Sequence, residues 1–273
     1  MATRVFETEA RSVLTKSKIP GLDYAVNPYV GCGHACAYCY ATFMKKFMKI
    51  PDPWGEFVGV KVNAAEVLAR DVRRSRPGVV SFGTVCDPYQ EAEREYRITR
   101  SCLEVFTQAE GWQVGVLTKS DLVARDADVL ERMHDAEVGL TITTLEPDVA
   151  AALEPGAPPP ARRLAAMREL GGRGIAVWGF LGPLLPGISD SEEAVREVLT
   201  AMRDAGACRV LVDHMNLYPK VVARLRPVLV ECFPDLVPAL DDVRSGPARY
   251  DRELSARVER ASRSLDLEVD LCF

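Results

Sequence analysis

The chain has 273 residues, 48% of them apolar and 27% charged, enough to bury a large core without disulfides or an obligatory partner. Its 34 basic and 39 acidic residues leave a net charge of −5, which argues against a broad basic surface for wrapping duplex DNA. No apolar run approaches the roughly 20 residues that cross a bilayer, and residues 1–20 lack the apolar stretch of a signal peptide, so the expectation is a protein of the reducing cytoplasm with no membrane partner.

Along the chain, short β-branched runs alternate with helical periodicity. Residues 23–29, 79–85, 113–119, 138–144, 175–181 and 209–215 predict strands. Most are continuous Val, Ile and Leu runs, the pattern of strands covered on both faces. Apolar spacing near 3.6 residues predicts helices over 64–73, 98–109, 122–134, 161–170, 192–205 and 219–232, with Ser191 as the N-cap of the fifth. Six β-then-α units joined by right-handed crossovers make a parallel α/β sheet, either open or curled into a full or partial barrel. Residues 1–22 read as an N-terminal extension, 23–233 as the β/α core and 234–273 as a C-terminal helical tail. The four prolines of 154–160 read as a stiff surface connection within the fourth crossover.

In parallel sheets of either kind, chemistry collects at the C-terminal strand ends. That rim gathers 32–39, 86–90, Lys119, 141–144, 179–186 and 213–216 from six different loops. Three of the eight cysteines crowd there as CxxxCxxC: Cys32, Cys36 and Cys39. Zinc takes four ligands, usually as two pairs. No second pair exists, and His34, which could complete a Cys3His set, lies inside the loop that must wrap the ion. Three thiolates suit a [4Fe–4S] cluster with one iron left open for a substrate or cofactor. Zinc stays as the alternative, and with it a non-catalytic zinc or iron–sulfur binding module.

This triplet after a first strand, with Tyr38 just before the third cysteine, resembles the radical S-adenosylmethionine (SAM) superfamily. More narrowly, Asn27-Pro28-Tyr29, Tyr40, 82–90 (FGTVCDPYQ), Leu117-Thr118-Lys119, 140–144, Leu153-Glu154-Pro155-Gly156, Arg163-Leu164-Ala165-Ala166 and 182–190 (GPLLPGISD) look like the spore photoproduct lyase-like group in order and spacing. The resemblance implies a partial (β/α)6 TIM-type barrel and two cofactors, a [4Fe–4S] cluster on the three cysteines and SAM. It implies reductive cleavage of SAM to methionine and a 5′-deoxyadenosyl radical that abstracts hydrogen from substrate, in radical chemistry of the lyase or transferase type. It also implies a reducing partner such as flavodoxin or ferredoxin.

Carried onto this sequence, the resemblance puts Tyr38, Lys119, Thr141, Phe180 and Gly182 at SAM, with Lys119 on its carboxylate and the backbone of 180–182 at the adenine edge. Cys86 matches a cysteine that gives a hydrogen atom to the product radical, and Tyr38 and Tyr40 match tyrosines linked to radical return. On the residues alone, Lys119 could equally be a surface cation bridging to Asp121, and Cys86 a buried space-filler. Asp213, His214 and Asn216 end the last strand and are substrate-binding candidates by position. His134 and Cys102 read as structural, and 91–100 as a solvated helix start. The resemblance stops near Asp190. With a net charge of −5 and no evident basic aromatic cluster, the expected substrate is a small molecule, nucleosides included. Repair of a pyrimidine lesion in DNA is the alternative.

Overall fold

The computed structural model describes residues 3–47 and 50–273. All six predicted strands form: β3 (Tyr24–Val26), β6 (Val79–Phe82), β7 (Gln113–Thr118), β8 (Ala136–Thr141), β9 (Ala176–Leu184) and β10 (Arg209–His214). They lie side by side in chain order, every neighbouring pair parallel. In-order parallel strands are what a barrel needs, because a doubly wound sheet reverses its order at a switch point. The sheet does not close. Its edges are β2 (Leu14–Lys16), antiparallel to β3, and β11 (Glu268–Leu271), parallel to β10. The architecture is the partial TIM-type barrel.

Residues of both terminal segments enter these sheets. In a second, three-stranded sheet, β1 (Arg4–Thr8) runs parallel to β5 (Phe57–Lys61), and β4 (Tyr29–Val30) runs antiparallel to it. After the core helix α8 (Pro219–Cys232) come α9 (Val237–Ser245) and α10 (Pro247–Ser262). Helix α10 packs on α7 (Glu192–Asp204), where Arg260 meets Glu192 at 2.8 Å, and β11 then extends the barrel wall. No helix among the described residues is long and apolar enough to cross a membrane.

β8 and β9 carry consecutive buried residues, as strands covered on both faces do, whereas β6, β7 and β10 are covered on one face only. On β7, Val114, Val116 and Thr118 are buried while Gly115 and Leu117 are partly accessible; β6 and β10 alternate in the same way. The helices account for the difference. They cover the convex face, where Phe106 of α3 (Ile98–Phe106) meets Phe82 edge-on at 6.1 Å. The concave face of an unclosed barrel keeps solvent access along Ser81, Leu117, Phe180, Leu211 and Asp213. An apolar run cannot report which face will be open.

Four predicted helices form nearly as expected: α1 (Ala64–Arg74), α6 (Pro160–Gly172), α7 and α8. The predicted 98–109 helix stops at Phe106. The predicted 122–134 helix is instead a 3-10 turn (Asp121–Asp126) followed by the short α4 (Ala127–Leu130). Here the Asp126 carboxylate is held by Arg100 at 3.1 Å and Arg125 at 2.7 Å, so tertiary ion pairs fix the backbone that the apolar spacing would have wound as one helix. Ser191 does cap α7, its hydroxyl accepting the Ala194 N–H at 3.1 Å. Replacing Ser191 with Ala should cost about 1 kcal/mol and lower the melting temperature by roughly 2 °C, read by calorimetry.

Candidate active site

Strand β4 ends at Val30 and the chain turns at Gly31, with φ of +81°. A side chain there would collide with the Phe57 carbonyl oxygen, so only glycine fits. The cysteine loop follows, and three anchors shape it. The Gln90 amide accepts the Gly33 N–H at 2.7 Å and donates to the Gly31 carbonyl at 3.4 Å. The Ala37 N–H reaches the Leu153 carbonyl at 2.8 Å, and the Gly156 N–H reaches the His34 carbonyl at 3.1 Å. His34 itself is buried with Nδ1 3.3 Å from Asp87. Asp87 also accepts the Lys119 N–H at 2.7 Å and the Thr118 hydroxyl at 2.6 Å. Burial opposes ionisation of Asp87, but His34 and these donors outweigh it and hold the carboxyl down to about 2. His34 is thereby occupied as a brace of the loop.

Burial pushes all three loop thiols up. The charge of Asp87, with Cys36 and Cys39, adds to this at Cys32, and that of Glu154 adds at Cys36, where Lys119 and Arg163 oppose it. Thiols gathered in such a place bind metal with loss of their protons. No group of three or more His, Cys, Asp or Glu among the described residues is spaced to hold a single ion, and a tetrahedral zinc site would still need a fourth ligand. Three thiolates on one loop fit a cuboidal iron–sulfur cluster with one open iron.

Behind the loop lies a network that the sequence motifs contained without revealing. Glu154 and Arg163 are both buried and meet at 2.5 Å. The other Glu154 oxygen accepts the Tyr38 hydroxyl and lies 3.0 Å from the Thr143 hydroxyl. Arg163 also donates to the carbonyls of Thr141 at 3.1 Å and Pro158 at 2.8 Å. Burial pushes the Glu154 carboxyl up and Arg163 pulls it back. The proline-rich connection therefore runs on the surface at Pro155 and Pro159, while its ends are pinned in the site.

Lys119 follows β7 directly. Its Nζ stands 3.8 Å from Glu154 and 5.7 Å from the centre of the Tyr38 ring, and burial pulls its pKa down. The alternative bridge to Asp121 does not form, because Arg162 holds Asp121 at 2.5 Å. A partly buried ammonium with its nearest carboxylate beyond hydrogen-bond reach has donors free for an anionic ligand.

The other predicted residues divide. Thr141 is buried beside this network, and Phe180 stands on the concave face with its ring folded over Gly182. The Cys86 thiol is buried, donates to the Tyr29 carbonyl at 3.2 Å and borders a cavity of about 220 Å³ lined also by Asn27, Lys61 and Met44. Burial pushes this thiol up to about 12, which keeps it protonated. The Tyr40 ring is exposed while its hydroxyl turns inward to the Thr84 carbonyl; burial of that end, with Cys39, Asp213 and Cys86 nearby, pushes it up to about 12. Asn216 lies half-buried just beyond β10. His214 turns away from the others: its Nδ1 is 2.8 Å from Asp251 of α10 and its ring stacks on Phe273 at 4.7 Å. Proximity to the rim suggested substrate contact, but the C-terminal segment, invisible to local sequence, supplies its partners.

Glu154→Gln would leave Arg163 buried without its counter-charge. The expected loss is about 3–5 kcal/mol of stability, measured by chemical denaturation; an unchanged midpoint would show that the pair does not anchor the site.

Comparison with known proteins agrees with this architecture. The family profile described as the radical SAM superfamily matches residues 26–199. An uncharacterized protein of Methanocaldococcus jannaschii is 33% identical over 193 residues, 71% of this chain and 72% of its own length. One of Mycobacterium tuberculosis is 31% identical over 233 residues, 82% of this chain and 68% of its own. Among solved structures, spore photoproduct lyase complexed with dinucleoside spore photoproduct superposes with a TM-score of 0.73 at 17% identity, covering 98% of this chain and 82% of that one. Streptococcus suis SuiB bound to S-adenosylmethionine superposes with a TM-score of 0.56 at 12% identity, covering 99% and 50%. At these identities the structural likeness concerns the fold alone. The chain belongs to the radical SAM superfamily, whose members use a [4Fe–4S] cluster and S-adenosylmethionine.

Proposed function

We propose that this protein reductively cleaves SAM at a [4Fe–4S] cluster held by Cys32, Cys36 and Cys39, and that the resulting radical takes hydrogen from a small-molecule substrate, nucleosides included. When bound, the cluster supplies the electron that divides SAM into methionine and a 5′-deoxyadenosyl radical. The observation that carries the reading is the under-satisfied Lys119 ammonium, 3.8 Å from Glu154 and beside the cysteine loop, above an accessible concave face.

In this reading Lys119 binds the SAM carboxylate. Glu154, fixed by Arg163, holds the Tyr38 hydroxyl and keeps Lys119 aimed into the site. The Thr141 hydroxyl adds a polar contact, and Phe180 walls the adenine side. Cys86, kept as a neutral thiol, is positioned to return a hydrogen atom to the product radical; a thiol can do this and a thiolate cannot. Asp213 offers the substrate a polar contact on the concave face.

A second reading, repair of a pyrimidine lesion in nucleic acid, is favoured by one surface feature. Exposed Tyr40, Phe43 and Phe47 line the helical turn after Cys39, with Tyr40 stacked on Phe43 at 6.4 Å and Lys46 over Phe47 at 4.7 Å; Lys45 and the exposed Tyr218 are close by in the chain and at the start of α8. Aromatic rings interleaved with lysines stack bases and neutralise phosphates.

Anaerobic reconstitution should give a brown protein with about four irons that releases 5′-deoxyadenosine on reduction. Cys36→Ala should abolish that release. Lys119→Met should weaken SAM binding roughly 10- to 100-fold, the loss of a charged hydrogen bond of about 1.5–3 kcal/mol, with cluster content retained. A colourless zinc protein would sink the proposal. Deuterium carried from labelled candidates into 5′-deoxyadenosine identifies the substrate, and salt-dependent oligonucleotide binding would favour the second reading.

A further inference from the structure

The cavity beside Cys86 holds a cation that the reaction outlined above leaves unused. Strand β5 ends at Lys61, which clasps the turn at 27–28: its N–H reaches the Pro28 carbonyl at 3.2 Å, and its Nζ donates to the Asn27 carbonyl at 2.6 Å. An ammonium has three donors, and this bond uses one. Burial pulls the Lys61 pKa down with no carboxylate beside it to oppose the shift. The other polar side chains of the lining are occupied. The Ser12 hydroxyl lies 2.9 Å from Asp71, the Thr15 hydroxyl donates to the Ala25 carbonyl at 3.0 Å, and the Asn27 amide donates to the Thr84 hydroxyl and accepts the Val85 N–H, both at 3.1 Å. Lys61 is the one charged side chain in the lining.

This cavity borders the reacting groups. Gly31, which immediately precedes the first loop cysteine, and Cys86 both line it. Asn27 ties the cation to the thiol: its carbonyl takes the Lys61 ammonium, and its Oδ1 lies 3.8 Å from the Cys86 sulfur. At about 220 Å³ the space is smaller than the roughly 300–1,000 Å³ of sites that enclose a whole ligand, so it suits one end of a molecule. The remaining lining is mostly apolar. A cation without a counter-charge in such surroundings is costly, and a compact oxyanion with acceptors for the two spare N–H groups removes that cost.

We propose that the substrate carries a compact oxyanion, a carboxylate or a phosphate monoester, and that this cavity receives it on Lys61, anchoring the substrate next to the Cys86 thiol. The ion pair supplies affinity and fixes one end of the molecule, so that the rest is presented to the thiol from a set distance. Lys61 thereby selects charged substrates over neutral ones of the same shape, because a neutral end would leave the ammonium desolvated and unpaired. The inference deepens the reading in which Cys86 returns a hydrogen atom to the product radical, and it rests on that reading.

The test is an equilibrium titration of the iron-loaded protein with inorganic phosphate and with acetate, in the presence of saturating SAM so that Lys119 is already engaged. At least one of the two should bind, and the tighter names the group. Lys61→Met should weaken that binding roughly tenfold to hundredfold, as expected for loss of a charge-assisted hydrogen bond, and Lys61→Arg should recover most of it. Binding of neither anion, or equal binding by Lys61→Met, overturns the inference. A measurement on the wild type covers the case in which a variant does not fold. Acetylation of lysines by an N-hydroxysuccinimide ester, read by peptide mass spectrometry, should slow at Lys61 about threefold when the anion is present at twice its Kd, while the exposed Lys16 and Lys18 react as before. No protection of Lys61 overturns the assignment. A chain that takes up no iron or releases no 5′-deoxyadenosine fails the functional reading itself, whereas an active, iron-loaded chain that holds neither anion fails only this inference.

Discussion

Behind the cysteine loop a carboxylate and a guanidinium, both sealed from solvent, meet at 2.5 Å, and most of what surrounds them is oriented by that contact. Removing either charge from water is costly, and the pair is tolerable because both partners make further hydrogen bonds. Glu154 takes the Tyr38 and Thr143 hydroxyls, and Arg163 takes the carbonyls of Thr141 and Pro158. The end of β8, the proline-rich connection, α6 and the cysteine loop are therefore registered to one another through a single buried pair. Satisfied networks of this kind hold a site at fixed geometry, which a reactive radical intermediate requires of its surroundings.

Charge around the loop is balanced unevenly. On one side Asp87 is engaged by the His34 ring and by N–H and hydroxyl donors, so it braces the loop. On another, Glu154 is claimed by Arg163 and reaches Lys119 only at 3.8 Å. Lys119 and Arg224 are left as cations beside the three loop cysteines, of which Cys32 and Cys36 are buried and Cys39 partly so. The arrangement suits a group that gathers negative charge on ligation and more on reduction, together with a carboxylate-bearing cofactor at the open iron.

The barrel keeps an accessible inner face by not closing. Helices cover only the convex face, so the inner face of β6, β7 and β10 retains solvent access. The C-terminal segment completes the wall through β11 and takes His214 out of the rim through Asp251 and Phe273. A residue at a strand end is thus catalytic or structural according to what a remote element offers it.

Local chemistry by itself determined the strands, the helices with continuous apolar spacing, the Ser191 cap and the cysteine triplet, because each depends on neighbours a few residues away. The order of the six strands followed from short right-handed crossovers. What only the tertiary structure decided involves partners far apart in the chain. These are the pairing of Glu154 with Tyr38, the bracing of His34 by Asp87, the break in the helix near Asp126, the open concave face and the approach of Arg224 to Trp54 and Cys36. Burial and ion pairing are properties of a packed environment, and a linear pattern of apolar and charged residues does not specify which remote side chain will supply it.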